Sequence, residues 1–245
     1  MLPVLIAGQR IFSRSSWSSA MELIEEYWDD DLYITDFDYG EGVYVVVMSN
    51  VVNWDGQTVL FGADFPRDAI KRNWNKGYSI TNVMHDGSDW VVVMTKVGNE
   101  CQSQGYVLES SEAAFMNAIR DAWDDGYIIT QVCCDERRYG NVYCAVYSEP
   151  YTPKSQSIRA LTGSVSPREI GNACDDDESI IDLYDMDGAL MVATYSNPIY
   201  KRISIARCVD IEDLFSAVDN NMDNDLWVTV LAYYRGCWYA VFNGL

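Results

Sequence analysis

The sequence predicts an α+β fold of the α/β propeller type, a closed five-fold ring built from five α-β-β-β repeats. Two observations predict it. A short motif recurs along the chain at nearly constant spacing, and at each copy the periodicity of apolar residues changes from helical to extended. A single domain over residues 1–245 is expected, because one repeat is too small to bury its helix face alone.

The clearest copy of the motif reads Trp123-Asp-Asp-Gly-Tyr-Ile-Ile-Thr130. The other copies begin at Trp28, Trp74, Cys174 and Met222, and these five anchors lie 46, 49, 51 and 48 residues apart. A period of this size is typical of solenoids, propellers and arrays. It predicts repeats over residues 17–62, 63–110, 111–162, 163–208, and 209–245 together with 1–7.

A short amphipathic helix is predicted before each anchor, because an apolar residue precedes the anchor by four positions in every repeat. These residues are Ile24, Ile70, Ile119, Ile170 and Val218. Helix N-caps are expected at Ser18 or Ser19, at Asp64 with Pro66, at Ser110 or Ser111, and at Ser166 with Pro167. Residues just past the helix ends favour a left-handed turn, as at Gly77 and Gly126.

After each anchor, two strands rich in aromatic and β-branched residues are separated by a Gly, Asp or Asn turn, which predicts a hairpin. A third extended segment precedes each following helix, and the last repeat has no room for one. We therefore expect an N-terminal strand, Pro3 to Ile6, to complete the last repeat by pairing beside Trp238 to Phe242. This closure would leave no exposed sheet edge.

The composition limits the possible partners. The formal charge is −20, from 37 acidic and 17 basic residues, so nucleic acid and anionic membranes are not expected to bind. No apolar run approaches the roughly 20 residues of a transmembrane helix. The start of the chain lacks the basic front of a signal peptide, and seven cysteines without a C-x-x-C pair favour reduced thiols and a cytoplasmic location. A monomer is expected.

Few residues suggest a chemical site. His85, the only histidine, is expected to be a solvated turn residue of the second hairpin. The acidic runs lack the oxygen spacing of a calcium loop, so they are interpreted as solvated turn carboxylates. Trp28, Trp74 and Trp123 are expected to pack in the core, which leaves Trp17, Trp54 and Trp227 as candidates for an exposed binding aromatic. We predict no catalytic residue, cofactor or metal.

The stretch from Phe65 to Thr81, followed by Trp90-Val-Val-Val-Met-Thr95, resembles the repeats found C-terminal to the kinase domain of plant casein-kinase-I-type protein kinases and in stand-alone proteins. Those repeats form a domain of unknown function. The resemblance covers residues 17–150 well and the last two repeats in outline. It implies an accessory or interaction domain, since the chain has none of the kinase motifs.

The arrangement of five repeats, each with one helix and three strands, also resembles the five-fold α/β propeller of the pentein superfamily. That superfamily includes enzymes that modify guanidines with Cys, His and acidic residues, and a non-catalytic ribosome-binding factor. In this chain Cys237 is the tempting nucleophile, but His85 is not beside a late cysteine in the sequence.

The sequence therefore predicts a non-catalytic binding or scaffold module for an unknown protein or small ligand. The alternative is a pentein-like hydrolase or transferase acting on a guanidine or amide substrate. A binding module is favoured because no catalytic set is present, and fold analogy alone cannot establish an activity.

Overall fold

The computed structural model describes residues 6–98, 103–135, 141–149, 155–175, 177–196, 200 and 202–244. Its helices are α1 (Trp17–Trp28), α2 (Arg67–Trp74), α3 (Glu112–Asp124), α4 (Pro167–Asn172) and α5 (Ile211–Met222). Its strands are β1 (Ile6–Arg14), β2 (Tyr33–Gly40), β3 (Val43–Val51), β4 (Gln57–Gly62), β5 (Ser79–His85), β6 (Trp90–Thr95), β7 (Gln104–Glu109), β8 (Ile128–Asp135), β9 (Val142–Ser148), β10 (Gln156–Thr162), β11 (Ser179–Met186), β12 (Ala189–Tyr195), β13 (Arg202–Cys208), β14 (Trp227–Tyr234) and β15 (Cys237–Gly244).

These elements form five similar three-stranded antiparallel sheets, each with one helix, so the five predicted repeats are confirmed. In every sheet the second hairpin strand is central, as in the order β1-β3-β2. Its position between two neighbours explains the continuous apolar runs, since Tyr44–Ser49 of β3 and all of β6 are buried. Among the described residues, no strand pairing joins the five sheets into a barrel.

The order of elements within a repeat differs from the prediction. Each repeat is β-α-β-β, because the strand before a helix pairs with the hairpin after that helix. Thus β1 pairs with β3, with Ile11 opposite Val47, and β15 pairs with β13, with Ile205 opposite Val241. The predicted N-terminal strand completing the last repeat is therefore wrong, although residues 3–5 themselves lie outside the described residues. The apolar pattern could not show which hairpin such a strand joins, because a strand that lies between two hairpins in the sequence can pair with either one.

The helices begin and end close to the predicted positions. The apolar residues four positions before the anchors are all fully buried or nearly so: Ile24, Ile70, Ile119, Ile170 and Val218. Ser111 and Ser166 are N-caps as predicted, and Ser166 forms a capping box with Glu169. The N-cap of α1 is Ser16 rather than Ser18 or Ser19, and α2 has no side-chain cap. Gly77 and Gly126 have the expected positive φ angles of 82° and 86°.

The last position of the motif marks a β-bulge, and it is a threonine in every repeat except the fourth, where it is Ile181. The first hairpin strand of each repeat shifts register at this position, for example between Ile129 and Gln131 in β8, so one residue has no partner across the hairpin. The hydroxyl of Thr130 in the bulge donates to the carbonyl oxygen of Val146 at 3.3 Å, and Thr229 does the same to Val241. The recurring threonine therefore fills a hydrogen-bonding gap that the bulge creates.

The repeats fall into two compact units, which are described separately. The two-repeat unit, Val52–Lys154, holds repeats 2 and 3, and the three-repeat unit, Pro3–Val51 with Ser155–Leu245, holds repeats 4, 5 and 1. In both units neighbouring repeats meet through the strand that follows the helix, which we call the junction strand. Strand β5 contacts β8, while β14 contacts both β11 and β2. The single domain over residues 1–245 stays a prediction. No helix in the described part of the chain is long and apolar enough to cross a membrane.

We expect Thr130→Val to reduce the free energy of unfolding by about 1 kcal/mol, because it leaves the Val146 carbonyl without its side-chain donor while preserving shape. Chemical denaturation would measure the change. Thr58→Val is the control, since Thr58 lies in β4 away from any bulge. Equal losses in the two variants would contradict the role assigned to the bulge threonine.

Candidate functional site

The two residues considered for catalysis are both engaged in packing. His85 ends β5 with only 9 % of its surface exposed, its Nδ1 accepts a hydrogen bond from the Gly87 amide at 2.9 Å, and its ring lies 4.8 Å from that of Trp90. The predicted solvated turn histidine is therefore wrong, because the turn folds back over the ring. Cys237 is buried in β15. His85 belongs to the two-repeat unit and Cys237 to the three-repeat unit.

The described cysteines are free thiols: Cys133, Cys134, Cys144, Cys174, Cys208 and Cys237. Burial raises the pKa of Cys174 and of Cys208 to about 11, and it raises the pKa of Cys144 further. A thiol with a raised pKa stays protonated near neutral pH and is a poor nucleophile. Cys101 lies outside the described residues.

The acidic runs lie on the surface, as predicted. Asp29 to Asp31 and Asp124 with Asp125 are exposed at the C-terminal ends of α1 and α3. Asp175 forms an ion pair with Arg159 at 2.9 Å. No group of three or more metal-ligating side chains occurs within the part of the chain that the structure describes.

The tryptophans are placed differently from the prediction. Trp17 and Trp54 are buried, so neither offers an exposed aromatic surface, while Trp227 is half-buried. The anchor tryptophans are also only half-buried, because they stand at the last turn of the helix, where it leaves the core. At this position Trp74 contacts the next repeat, where its indole Nε1 donates a hydrogen bond to Gln104 Oε1 at 3.0 Å.

Polar side chains join repeats 5 and 1 in the three-repeat unit. Strand β14 is at the edge of its own sheet, so one side of its backbone has no strand partner in that sheet. Gln9 of β1 supplies the missing partner for Val228. Its amide oxygen accepts from the Val228 amide at 2.9 Å, and its amide nitrogen donates to the Val228 carbonyl at 2.9 Å.

Two carboxylates of β2 continue this pattern along β14. Asp36 accepts a hydrogen bond from the Leu231 amide at 2.6 Å, and Asp38 accepts one from the Tyr233 amide at 2.6 Å. The other oxygen of each carboxylate accepts from the amide of the next residue, Phe37 or Tyr39. We call Gln9, Asp36 and Asp38 the edge clasp, since together they pair four backbone groups of β14.

The two-repeat unit contains the equivalent of the glutamine contact. Gln104 of β7 accepts from the Ile80 amide at 2.6 Å and donates to the Ile80 carbonyl at 2.9 Å. Ile80 holds the same position after its anchor as Val228 does in the fifth repeat. One glutamine at the start of a repeat therefore binds the junction strand of the preceding repeat in both units, by the same two hydrogen bonds.

This contact changes the chemistry of Asp38. Removal of its carboxylate from water raises its pKa from 3.8 to about 7, although the amides of Tyr233 and Tyr39 oppose the rise, and the charge of Asp185 adds to it. Both carboxylate oxygens are already occupied by backbone amides. The two oxygens of Asp38 are therefore used to hold β2 against β14.

The hairpin ends of the three-repeat unit cover the clasp with aromatic rings. The Tyr233 ring lies directly against Gly40, where an added Cβ would clash with the ring. The Tyr234 hydroxyl and the Arg235 guanidinium both donate to the Gly188 carbonyl, at 2.8 and 3.0 Å. The result is a packed contact that holds neighbouring repeats together.

Sequence reasoning missed the edge clasp, although part of its signal is visible. A glutamine recurs at the start of the first strand of four repeats, at positions 9, 57, 104 and 156. The spacing of 48, 47 and 52 residues follows the motif period. The carboxylates give a weaker signal, because Asp36 has one acidic equivalent, Asp182 of β11, whereas the position of Asp38 is not acidic in the other four repeats.

The fold and the junctions define a class of repeat protein in which β-α-β-β units contact their neighbours through junction strands. The chain belongs to the family described as a domain of unknown function (DUF7477), which matches residues 5–159. The match begins one residue before β1, covers the first three repeats and enters the fourth. No curated protein matches the chain.

We expect Gln104→Leu to destabilise the protein by roughly 2 kcal/mol, because the Ile80 amide and carbonyl would lose their partners. The measurement is the midpoint of urea unfolding. Gln131→Leu is the matched control, since no side-chain hydrogen bond of Gln131 is found among the described residues. A loss no larger than that of the control would show that the amide contact is dispensable.

We expect Gly40→Ala to cost about 1–3 kcal/mol, because the new methyl group must displace the ring of Tyr233. Gly62→Ala serves as a strand control, since an added Cβ there meets no atom within 4 Å. Thermal unfolding of both variants tests the difference. If Gly40→Ala unfolds at the same temperature as the parent protein, the packing of the Tyr233 ring does not require a glycine at position 40.

Proposed function

We propose that this protein is a non-catalytic binding module whose acidic helix ends bind a basic segment of another protein. The proposal rests on the acidic end loops, residues 29–31 after α1 and 223–225 after α5. Their aspartates are exposed, and no ion pair joins them to any residue that the structure describes. Carboxylates in this state are available to Lys and Arg side chains of a partner.

The two acidic end loops lie at the same end of neighbouring strands. Residues 29–31 lead into β2, and residues 223–225 lead into β14. The contacts of Asp36 with Leu231 and of Asp38 with Tyr233 advance in the same direction along both strands, so β2 and β14 run parallel. The loops at their starts are therefore adjacent, and together they form one acidic surface.

The position of these carboxylates favours binding over mere solubility. The C-terminal end of a helix carries partial negative charge, so each acidic side chain there costs roughly 0.3–1 kcal/mol. Charge for solubility could be placed at other surface positions without this cost. The guanidinium of Arg202 donates to the carbonyls of Asn224 and Asp225, so its hydrogen bonds go to the loop backbone and not to the loop carboxylates.

The hydrolase or transferase alternative has no supporting observation. Nδ1 of His85 accepts a hydrogen bond from the Gly87 amide, and the Cys237 thiol lies in the core. The proposed module has neither a cofactor nor a metal. The resemblance to the repeats of plant casein-kinase-I-type kinases supports an accessory role in recognition.

Two further parts of the proposal concern architecture and location. The equivalent repeats, and the junction strands that meet within each unit, support a closed five-fold α/β propeller resembling that of the pentein superfamily. The six free thiols among the described cysteines support a reducing, cytoplasmic location.

The test uses fluorescein-labelled deca-arginine as the probe, with binding measured by fluorescence anisotropy at near-physiological salt. We expect the triple variant Asp29→Asn, Asp30→Asn, Asp31→Asn to bind about tenfold more weakly, a change of about 1.4 kcal/mol. Asn tolerates the positive φ of 56° at residue 31, so the loop is expected to keep its shape.

The control variant is Glu22→Gln, Glu212→Gln, Asp213→Asn, which neutralises three exposed residues at least seven positions away from the acidic end loops along α1 or α5, roughly 10 Å or more at 1.5 Å per residue. It changes the net charge by the same amount. We expect its affinity to stay within about twofold of the parent, because the charges removed lie outside the acidic end loops. If both variants bind the probe equally weakly, the loss of affinity is due to net charge alone, and the proposed acidic surface is refuted.

A further inference from the structure

We propose that the outer edge of β13 binds an acidic, extended segment of another protein, which adds to the sheet of the fifth repeat as a fourth strand. Among the described residues β13 pairs with β15 alone, so its other side has no strand partner. A strand edge of this kind is a template for a further strand. The proposal goes beyond the acidic end loops, because it concerns a backbone edge and a partner of the opposite charge.

The orientation of the central strand β15 determines which backbone groups of β13 point outward. The Thr229 hydroxyl of β14 donates to the Val241 carbonyl, so this carbonyl faces β14. Because successive residues of a strand direct their backbone groups to opposite sides, Ala240 faces β13, where its partner is Ala206. The amide and carbonyl of Ala206 therefore face β15, and those of the neighbouring Ile205 point away from the sheet.

By the same alternation, three residues of β13 direct their amides and carbonyls outward: Ile203, Ile205 and Arg207. None of these groups has a hydrogen-bond partner among the described residues. Ile203 is 51 % exposed, and Val209, just beyond the strand, is 57 % exposed. Ile203 occupies the register position that Gln9 holds in the first repeat. The fifth repeat thus has an exposed apolar side chain where four other repeats have glutamine.

The equivalent outer strand of the first repeat, β1, is protected from such pairing. Its carbonyls at Gln9 and Ser13 hold the outward positions, and they accept hydrogen bonds from Arg10 at 3.2 Å and from Arg14 at 2.8 Å. Charged side chains commonly guard the edge strands of natural proteins. The two arginines of β13 bind other groups, so the outward carbonyls of β13 keep their capacity to accept.

The charge of β13 favours an acidic partner. Arg202 donates to the carbonyls of Asn224 and Asp225, and Arg207 donates to the Tyr239 hydroxyl. Neither arginine forms an ion pair with a carboxylate in the part of the chain that the structure describes. The two arginines act directly on an added strand, whereas charges more than about 8 Å away are largely screened at physiological salt.

A second copy of this chain is a poorer occupant. Antiparallel pairing of two β13 strands through all their outward groups would be centred on Ile205, and it would bring four arginines into one ribbon that contains no carboxylate. Each copy also has a formal charge of −20, which opposes association. An acidic segment instead places a carboxylate opposite each arginine, and such cross-strand pairs are favourable.

The positions along β13 define the pattern of the partner. An antiparallel segment needs carboxylates opposite Arg207 and Arg202 and β-branched apolar residues opposite Ile205 and Ile203. The peptide Glu-Thr-Val-Thr-Val-Glu, with both ends blocked, has this pattern and is the probe. The peptide Lys-Thr-Val-Thr-Val-Lys is the matched control, because it has the same strand-forming centre and the opposite charge.

Hydrogen exchange followed by NMR on the full chain, with and without the glutamate peptide, tests strand addition. At saturating peptide we expect the amides of Ile203, Ile205 and Arg207 to exchange at least about tenfold more slowly, because they become hydrogen-bonded. The Ala206 amide faces β15 already, so its exchange should change by less than about twofold. The lysine peptide should bind at least about fivefold more weakly than the glutamate peptide.

Two variants separate strand addition from attraction by charge alone. Ile203→Pro removes an outward amide without removing a hydrogen bond to β15, so the glutamate peptide should bind about tenfold more weakly. Ile203→Val keeps the amide and should bind within about twofold of the parent protein. The double variant Arg202→Gln, Arg207→Gln should weaken binding about fivefold.

The exchange pattern of the parent protein decides the outcome even if Ile203→Pro fails to fold. A glutamate peptide that does not bind, or that binds and leaves the three outward amides unprotected, would overturn the proposal. Protection of these amides that grows with protein concentration in the absence of peptide would identify a second copy as the occupant, and it would equally overturn the acidic partner.

Discussion

The unpaired backbone edge of each junction strand is the constraint on which the contacts between repeats depend. Every repeat is a three-stranded sheet whose first hairpin strand lies at an edge, so half of its amide and carbonyl groups have no partner in the sheet. Burying such an edge without partners would cost several kcal/mol. The chain meets this requirement with side chains rather than with another strand, through Gln9 and Gln104 and through the carboxylates of Asp36 and Asp38.

The β-bulge and the glutamine contact act at adjoining positions of the motif. The bulge at the threonine interrupts regular pairing within the hairpin, and the residue just before it, Ile80 or Val228, is the one that the neighbouring glutamine binds. A short motif therefore serves three purposes. It ends the helix, interrupts the ladder and offers a backbone site to the next repeat.

Carboxylates occur in two opposite environments in the three-repeat unit. Those of the acidic end loops are solvated and stand where a helix dipole disfavours them, which leaves them available to a partner. Those of the edge clasp are half-buried and accept hydrogen bonds from backbone amides, and burial raises the pKa of Asp38. We propose that the first group binds a partner, whereas the second holds neighbouring repeats together.

The sequence by itself determined the number of repeats, the helix before each anchor and the hairpin after it. These features depend on local periodicity and turn chemistry, which are visible within some twenty residues. Tertiary structure alone decided that each strand before a helix joins the hairpin after it, and that Asp36 and Asp38 bind β14. It also decided that His85 is buried and that the anchor tryptophans stand only half-buried at the helix ends. The physical reason is that strand partners and burial depend on contacts between distant residues, and the apolar pattern of a strand is the same whichever neighbour it pairs with.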